Sequence, residues 1–182
     1  PEYISISPVL SQAADIYQAG LTLYRMCVGT RLWRRQLQVF QDALSDDWES
    51  AVAAGEFPLR AGLPAHIPPR LQTLICRAIS VDPDDRHPSV HALLNDLAAV
   101  DECLDWQFGI PSDGVAAWEL DDGMDCRRIE MRVEGKLAAV AARRTSAASG
   151  KTVTLHKHGT SGVTVAQAMR HVRSVIEALT KA

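Results

Sequence analysis

Four groups of side chains in this sequence have types and spacings that chemistry can use. The largest is basic: Arg127, Arg128, Arg132, Lys136, Arg143, Arg144, Lys151, Lys157, Arg170 and Arg173 all fall in the last third of the chain. Cations at that density can hold phosphates or acidic side chains. Next come two histidine pairs, His87 with His91 four residues on, and His156 with His158 two residues on. Each pair offers two metal ligands where zinc takes three or four, and no Cys or carboxylate stands at a companion spacing. Third, Gly150-Lys151-Thr152 has the ending of a phosphate-binding loop, but Thr145 stands where that loop needs its first glycine, so it reads as an ordinary loop. The last group is Glu2, Asp15 and Arg86. A carboxylate and a planar guanidinium can bond bidentately and so tie distant segments together. No Ser-His-Asp arrangement can be argued from the order of residues.

The basic group admits three readings. It is a solvated face or one that docks on the acidic front of the chain, it meets an acidic protein partner, or it binds nucleic acid. Strand alternation sends neighbouring arginines to opposite faces, and Trp118 is the one Phe, Tyr or Trp after Gly114. Single-strand binders stack successive bases on several aromatic rings, and this segment has one.

Charge is divided along the chain. Up to Gly123 there are 8 Arg and no Lys against 18 Asp and Glu, a net of −10. From Met124 onward 11 Lys and Arg face 4 acids, a net of +7. A shift that abrupt points to two units with different surfaces. The 182 residues suffice for one large domain or two small ones. The apolar content of 47% suits a globular protein. No apolar run approaches the ~20 residues of a membrane span. Cys27, Cys76, Cys103 and Cys126 are widely spaced with no Cys-x-x-Cys, the usage of reduced, small, mostly buried residues in a cytoplasmic protein.

The elements that position these residues follow from periodicity. A helix is expected over about 12–27, apolar nearly all round and therefore buried, with Ile16, Leu23, Met26 and Cys27 on one face and Gly29 as its stop. Helices over about 37–44 and 48–54 precede a proline-rich connector, 58–69. The next helix, 69–79, carries Leu71, Leu74, Ile75 and Ala78 at helical spacing. Asp82-Pro83-Asp84-Asp85 is turn chemistry, and Ser89 caps a helix that ends near Leu104. Residues 105–114, with Pro111 to Gly114 in succession, read as a linker. Beyond it the period becomes two. Strands are expected over 115–120, 128–133, 137–143 and 152–157, the last with Val153 and Leu155 inward. Thr164-Val165-Ala166-Gln167 is a capping box for a helix with Val165, Met169, Val172, Ile176 and Leu179 along one stripe.

Two segments, with the opening residues, carry a resemblance. Asp15-Ile16-Tyr17-Gln18-Ala19-Gly20-Leu21-Thr22-Leu23-Tyr24-Arg25-Met26 and Asp82-Pro83-Asp84-Asp85-Arg86-His87-Pro88-Ser89, following Pro1-Glu2, resemble the C-terminal lobe of bacterial serine/threonine protein kinases of the eukaryotic-like type. The likeness covers residues 1 to about 100. It departs from the family pattern at Ala19, Arg25 and Thr30 to Trp33. The resemblance implies that Glu2 pairs with Arg86, that Asp15 holds the catalytic loop, and that Gly20 belongs to the same central helix. It implies a parent that uses ATP and Mg²⁺, whose glycine-rich loop, lysine and catalytic aspartates precede Pro1. The chain opens without methionine and contains no Gly-x-Gly-x-x-Gly, so the expectation is a fragment with no catalytic residue and no cofactor of its own.

The sequence thus points to an α+β chain: a mainly α-helical kinase C-lobe segment (1–104), a linker (105–114) and a small four-stranded antiparallel sheet with one covering helix (115–182). The expected partners are the upstream N-lobe and catalytic loop and an acidic protein. The expected roles of the second part are regulation, recruitment or assembly; a pseudokinase scaffold is the rival parent, and nucleic acid the rival partner.

Overall fold

A computed structural model describes residues 11–44, 48–60, 63–101, 105–110 and 115–181. The chain is α+β and divides into two units, residues 1–101 and 102–182.

In the first unit, helix α1 runs Gln12–Leu44 but is broken at Gly29, whose φ of 74° and ψ of 161° a residue with a Cβ adopts only under strain. The expected stop at Gly29 is therefore a joint, after which helix resumes at once. A polar bracket spans it. Tyr24 Oη donates to the Leu59 carbonyl at 2.6 Å and accepts from Gln36 Nε2 at 3.0 Å, while Leu59 N–H donates to Gln36 Oε1 at 3.3 Å. Burial pushes the Tyr24 hydroxyl pKa up, so it stays protonated as this donor.

The first arm of α1 is not buried all round, contrary to the expectation. Ala14, Ile16, Tyr17, Gly20, Tyr24 and Val28 face inward, whereas Asp15, Gln18, Thr22, Arg25 and Met26 are exposed, Met26 at 73%. The alanines make the helix look apolar, but a methyl group carries too little area to require burial on every side.

Short helices complete the unit: α2 (Trp48–Ala53), α3 (Pro69–Ala78) and α4 (Val90–Ala98), with a 3₁₀ turn at Pro83–Asp85. Proline at the start of α3 gives up only an N–H that has no helical partner. Asp82 accepts from Asp84 N–H at 2.9 Å, and Ser89 Oγ from Ala92 N–H at 3.1 Å, so both caps are as expected. The stripes of α1 and α3 meet, with Ile16, Tyr17 and Tyr24 against Leu71, Leu74, Ile75 and Ile79, and Leu93 from α4 closing the cluster.

The second unit is a six-stranded antiparallel sheet with a C-terminal helix. Its elements are β1 (Gln107–Gly109), β2 (Ala116–Asp121), β3 (Asp125–Glu134), β4 (Leu137–Ser146), β5 (Thr152–Thr154), β6 (Thr160–Thr164) and α5 (Val165–Thr180). The order is β1-β2-β3-β4-β5, and β6 also pairs with β4. Four strands were expected; six are present among the described residues. β1 lies inside the stretch read as linker and has only three residues, too few to display a period. The strand expected over 152–157 ends at Thr154, a 3₁₀ turn follows at His156–His158, and β6 then takes the remaining length of β4. Val153 is 42% exposed rather than inward, since at an edge backbone pairing suffices without burial.

Trp118, Ile129, Met131, Val140 and Ala142 share one face of the sheet, as their cross-strand registers require. Ala168, Val172, Val175, Ile176 and Leu179 are the buried positions of α5. Val165, expected in that stripe, is 38% exposed because it precedes the first full turn against the sheet. The Thr164–Gln167 capping box is formed, and Trp106 Nε1 donates to Thr180 Oγ1 at 2.9 Å, fixing both ends of the helix. Among the described residues no helix is long and apolar enough to cross a membrane.

Candidate functional site

Arg86 is the most completely buried charged side chain described, 1% exposed. Its guanidinium is satisfied by backbone: Nε donates to Ser80 O at 2.8 Å, Nη2 to Val81 O at 3.0 Å, and Nη1 to Ala13 O at 2.8 Å. The Tyr17 ring lies under it, 4.8 Å from centroid to the guanidinium carbon. Arg86 thus clamps the start of α1 to the turn after α3. Glu2, the carboxylate expected to pair with it, lies outside the described residues. Asp15 is exposed in the first turn of α1. At Gly20 an added Cβ would stand 2.7 Å from Ala78 Cβ and 2.8 Å from Ile79 Cγ2; the missing side chain is what lets α1 and α3 touch.

In the second unit the register places Arg127 opposite Arg144 and Arg128 opposite Arg143, on opposite faces of the sheet. Like charges in such positions repel, and carboxylates stand between them. Arg128 bonds Glu119 on β2 and Glu130 at 2.7 Å on its own strand, and both hold its pKa above the ordinary arginine value, Glu130 more strongly. Arg143 lies 3.9 Å from Glu130, Arg144 3.8 Å from Asp125, and Arg127 3.0 Å from Asp122. The Asp122 carboxyl sits below the usual aspartate pKa, chiefly because Asp125 and Met124 N–H groups donate to it. Arg132, Lys136, Lys151, Lys157 and Arg170 are exposed, and Arg173 is half-buried on α5. Lys136 and Lys151 flank opposite ends of ten-residue β4, about 30 Å apart at strand rise. The basic residues are therefore dispersed, and of the five on strands all but Arg132 stand beside acids.

The histidine pairs do not converge. His156 and His158 occupy a 3₁₀ turn, and the His158 carbonyl lies 3.0 Å from His171 Nε2. His91 is exposed on α4, while His87 is buried with a side chain 0% exposed. Among the described residues no three His, Cys, Asp or Glu side chains group as metal ligands. Cys27, Cys76 and Cys126 are free thiols; burial raises all three, Cys27 to about 11, which keeps them protonated and unreactive at neutral pH. Cys103 lies outside the described residues.

One feature was not anticipated. Between α3 and α4 lies a cleft of about 400 Å³, lined among others by Arg70, Thr73, Leu74, Arg77, His87 and Asp96. His87 Nε2 is 3.2 Å from Asp96 Oδ2 but not aligned for a hydrogen bond, and Nδ1 has no partner among the described residues. The imidazole pKa is lowered, first by burial and then by Arg77, with Asp96 opposing, so the ring is neutral at pH 7. The only trace of this cleft in the sequence is Arg70, Thr73 and Arg77 repeating along the polar side of α3.

No family model, curated protein or solved structure matches the chain. What these sites can do therefore rests on their own geometry: a backbone clamp at Arg86, a neutralised arginine lattice on the sheet, and a cationic cleft between α3 and α4.

Proposed function

We propose that residues 1–101 are the C-terminal lobe segment of a cytoplasmic serine/threonine protein kinase, and that residues 102–182 are an appended domain that regulates the parent or recruits a partner. The observation that carries this reading is the Arg86 clamp. Arg86 stands where the resemblance expects the lobe's structural arginine, and it is buried and bonded to the backbone of the helix bearing Asp15. The exposed row Asp15, Gln18, Thr22 and Arg25 supports it further, as a polar helix face suited to meet an upstream catalytic loop.

ATP and Mg²⁺ belong to that parent. The resemblance places their site in residues that precede Pro1. No step of phosphoryl transfer is assigned to any residue here. Of the partner readings, an acidic protein suits the dispersed cations Arg132, Lys136, Lys157 and Arg170 better than a nucleic acid, which needs a continuous row of phosphate contacts.

The test compares the full-length parent with a parent truncated after Asp101, each incubated with ATP and Mg²⁺, and reads phosphopeptides by mass spectrometry. Phosphorylation by both, with loss of one target in the truncated form, is the expected result. A full-length parent that neither binds ATP nor transfers phosphate would make this chain part of a pseudokinase scaffold.

A further inference from the structure

The cleft between α3 and α4 has a charge pattern that neither the clamp nor the sheet explains. Arg70 and Arg77 are exposed on one side of α3, about 10 Å apart along the helix axis at seven residues' separation, with Thr73 between them. Neither has a carboxylate partner among the described residues; Arg70 makes only a 3.3 Å bond to the Ala99 carbonyl. This contrasts with the sheet, where arginines stand beside acids. Two guanidiniums facing one carboxylate, Asp96, and a neutral imidazole leave the cleft with one net positive charge. Leu74 and His87 both line it, and His87 is a buried polar ring whose Nδ1 has no hydrogen-bond partner among the described residues. Buried polar atoms in proteins are satisfied in all but a few cases, so an unsatisfied one on a residue that lines the cleft favours a bound partner there. The volume of about 400 Å³ suits a small molecule.

We propose that this cleft binds a small monoanionic carboxylate carried on an apolar body. Arg70 and Arg77 hold the carboxylate with charge-assisted hydrogen bonds, the apolar body lies along Leu74 toward His87, and Asp96 sets the charge limit by repelling a dianion. The site is independent of the kinase reading, because it needs nothing outside α3, α4 and the turn between them.

Benzoate is the probe, titrated calorimetrically into the full chain, with benzamide and phenyl phosphate beside it and the His87 ring signals followed by NMR. Saturable benzoate binding that shifts His87 is expected, with benzamide not binding and phenyl phosphate binding more weakly. Arg70→Gln/Arg77→Gln is expected to weaken benzoate about tenfold or more, each lost charged hydrogen bond being worth roughly that factor. Asp96→Asn is expected to tighten it, a gain that misfolding cannot imitate, and Arg25→Gln to leave it unchanged. Absence of saturation at millimolar benzoate, or full affinity in the double variant, overturns the site. Tighter binding of phenyl phosphate than of benzoate overturns the choice of a monoanion.

Discussion

Arginine is used in opposite ways in the two units. In residues 11–101 the decisive arginine is inside: Arg86 is 1% exposed, and it donates to the main-chain carbonyls of Ser80, Val81 and Ala13. In the sheet unit the arginines are outside, and what they meet is a side-chain carboxylate, as Arg128 meets Glu119 and Glu130. A buried guanidinium bonded to backbone determines where segments lie, because each bond fixes a carbonyl that has no water to replace it. A surface pair cancels charge and fixes little. The unit with the more acidic sequence thus depends on a cation for its architecture, and the unit with the more basic sequence keeps for a partner only the cations that no acid among the described residues meets, Arg132, Lys136, Lys151, Lys157 and Arg170.

The strongest way to break this contrast is Arg86→Ala. It leaves the Ser80, Val81 and Ala13 carbonyls short of a donor and is expected to cost the first unit about 3–5 kcal/mol. Hydrogen exchange resolved by residue should show faster opening throughout α1 and α3 and none in the sheet. Unchanged protection in α1 would remove the clamp from the account.

A fall in pH sharpens the same contrast. Burial lowers the His66 pKa to about 4, below the ordinary value of 6.5, so the unfolded chain binds the proton first. Stability from neutral His66 is present above pH 6.5 and is lost as pH falls toward 4, by about 2 kcal/mol at pH 5. His158 in the sheet unit shifts in the same direction but is less buried, so urea unfolding at pH 5 should weaken the helical unit more.

The smallest effect is expected at Arg128→Gln, about 1 kcal/mol in low salt and less as salt rises, because Glu119 and Glu130 are then left facing each other on a half-exposed surface. A loss that persists in high salt would mean that Arg128 is architectural after all.

Legibility followed the physics of each element. Ser89, Asp82 and the Thr164–Gln167 box were readable because a cap is a local bond between residues three or fewer apart. The amphipathic faces of α3 and β3 were readable because their periods extend over enough residues to be seen. β1 and β6 were not, since a three-residue strand, or a five-residue one whose single apolar side chain is Val163, is held by backbone bonds that leave no trace in side-chain order. Ion pairing was hidden for another reason. Nothing in the spacing of Arg128 says that Glu119, nine residues away, lies directly across from it; only the hairpin register does. The cleft was hidden because it joins α3 to Asp96 on α4 and to His87 between them.

Gly20 has a mechanical consequence. With 2.7 Å between its would-be Cβ and Ala78, the contact works like a key in a slot. Sliding α1 along its axis by one turn would bring Tyr17 or Tyr24 into a space that does not admit a methyl group. Axial travel of this helix is therefore locked, and whatever reaches it from a neighbour at its exposed face can be passed on only by rotation or by bending at the Gly29 joint.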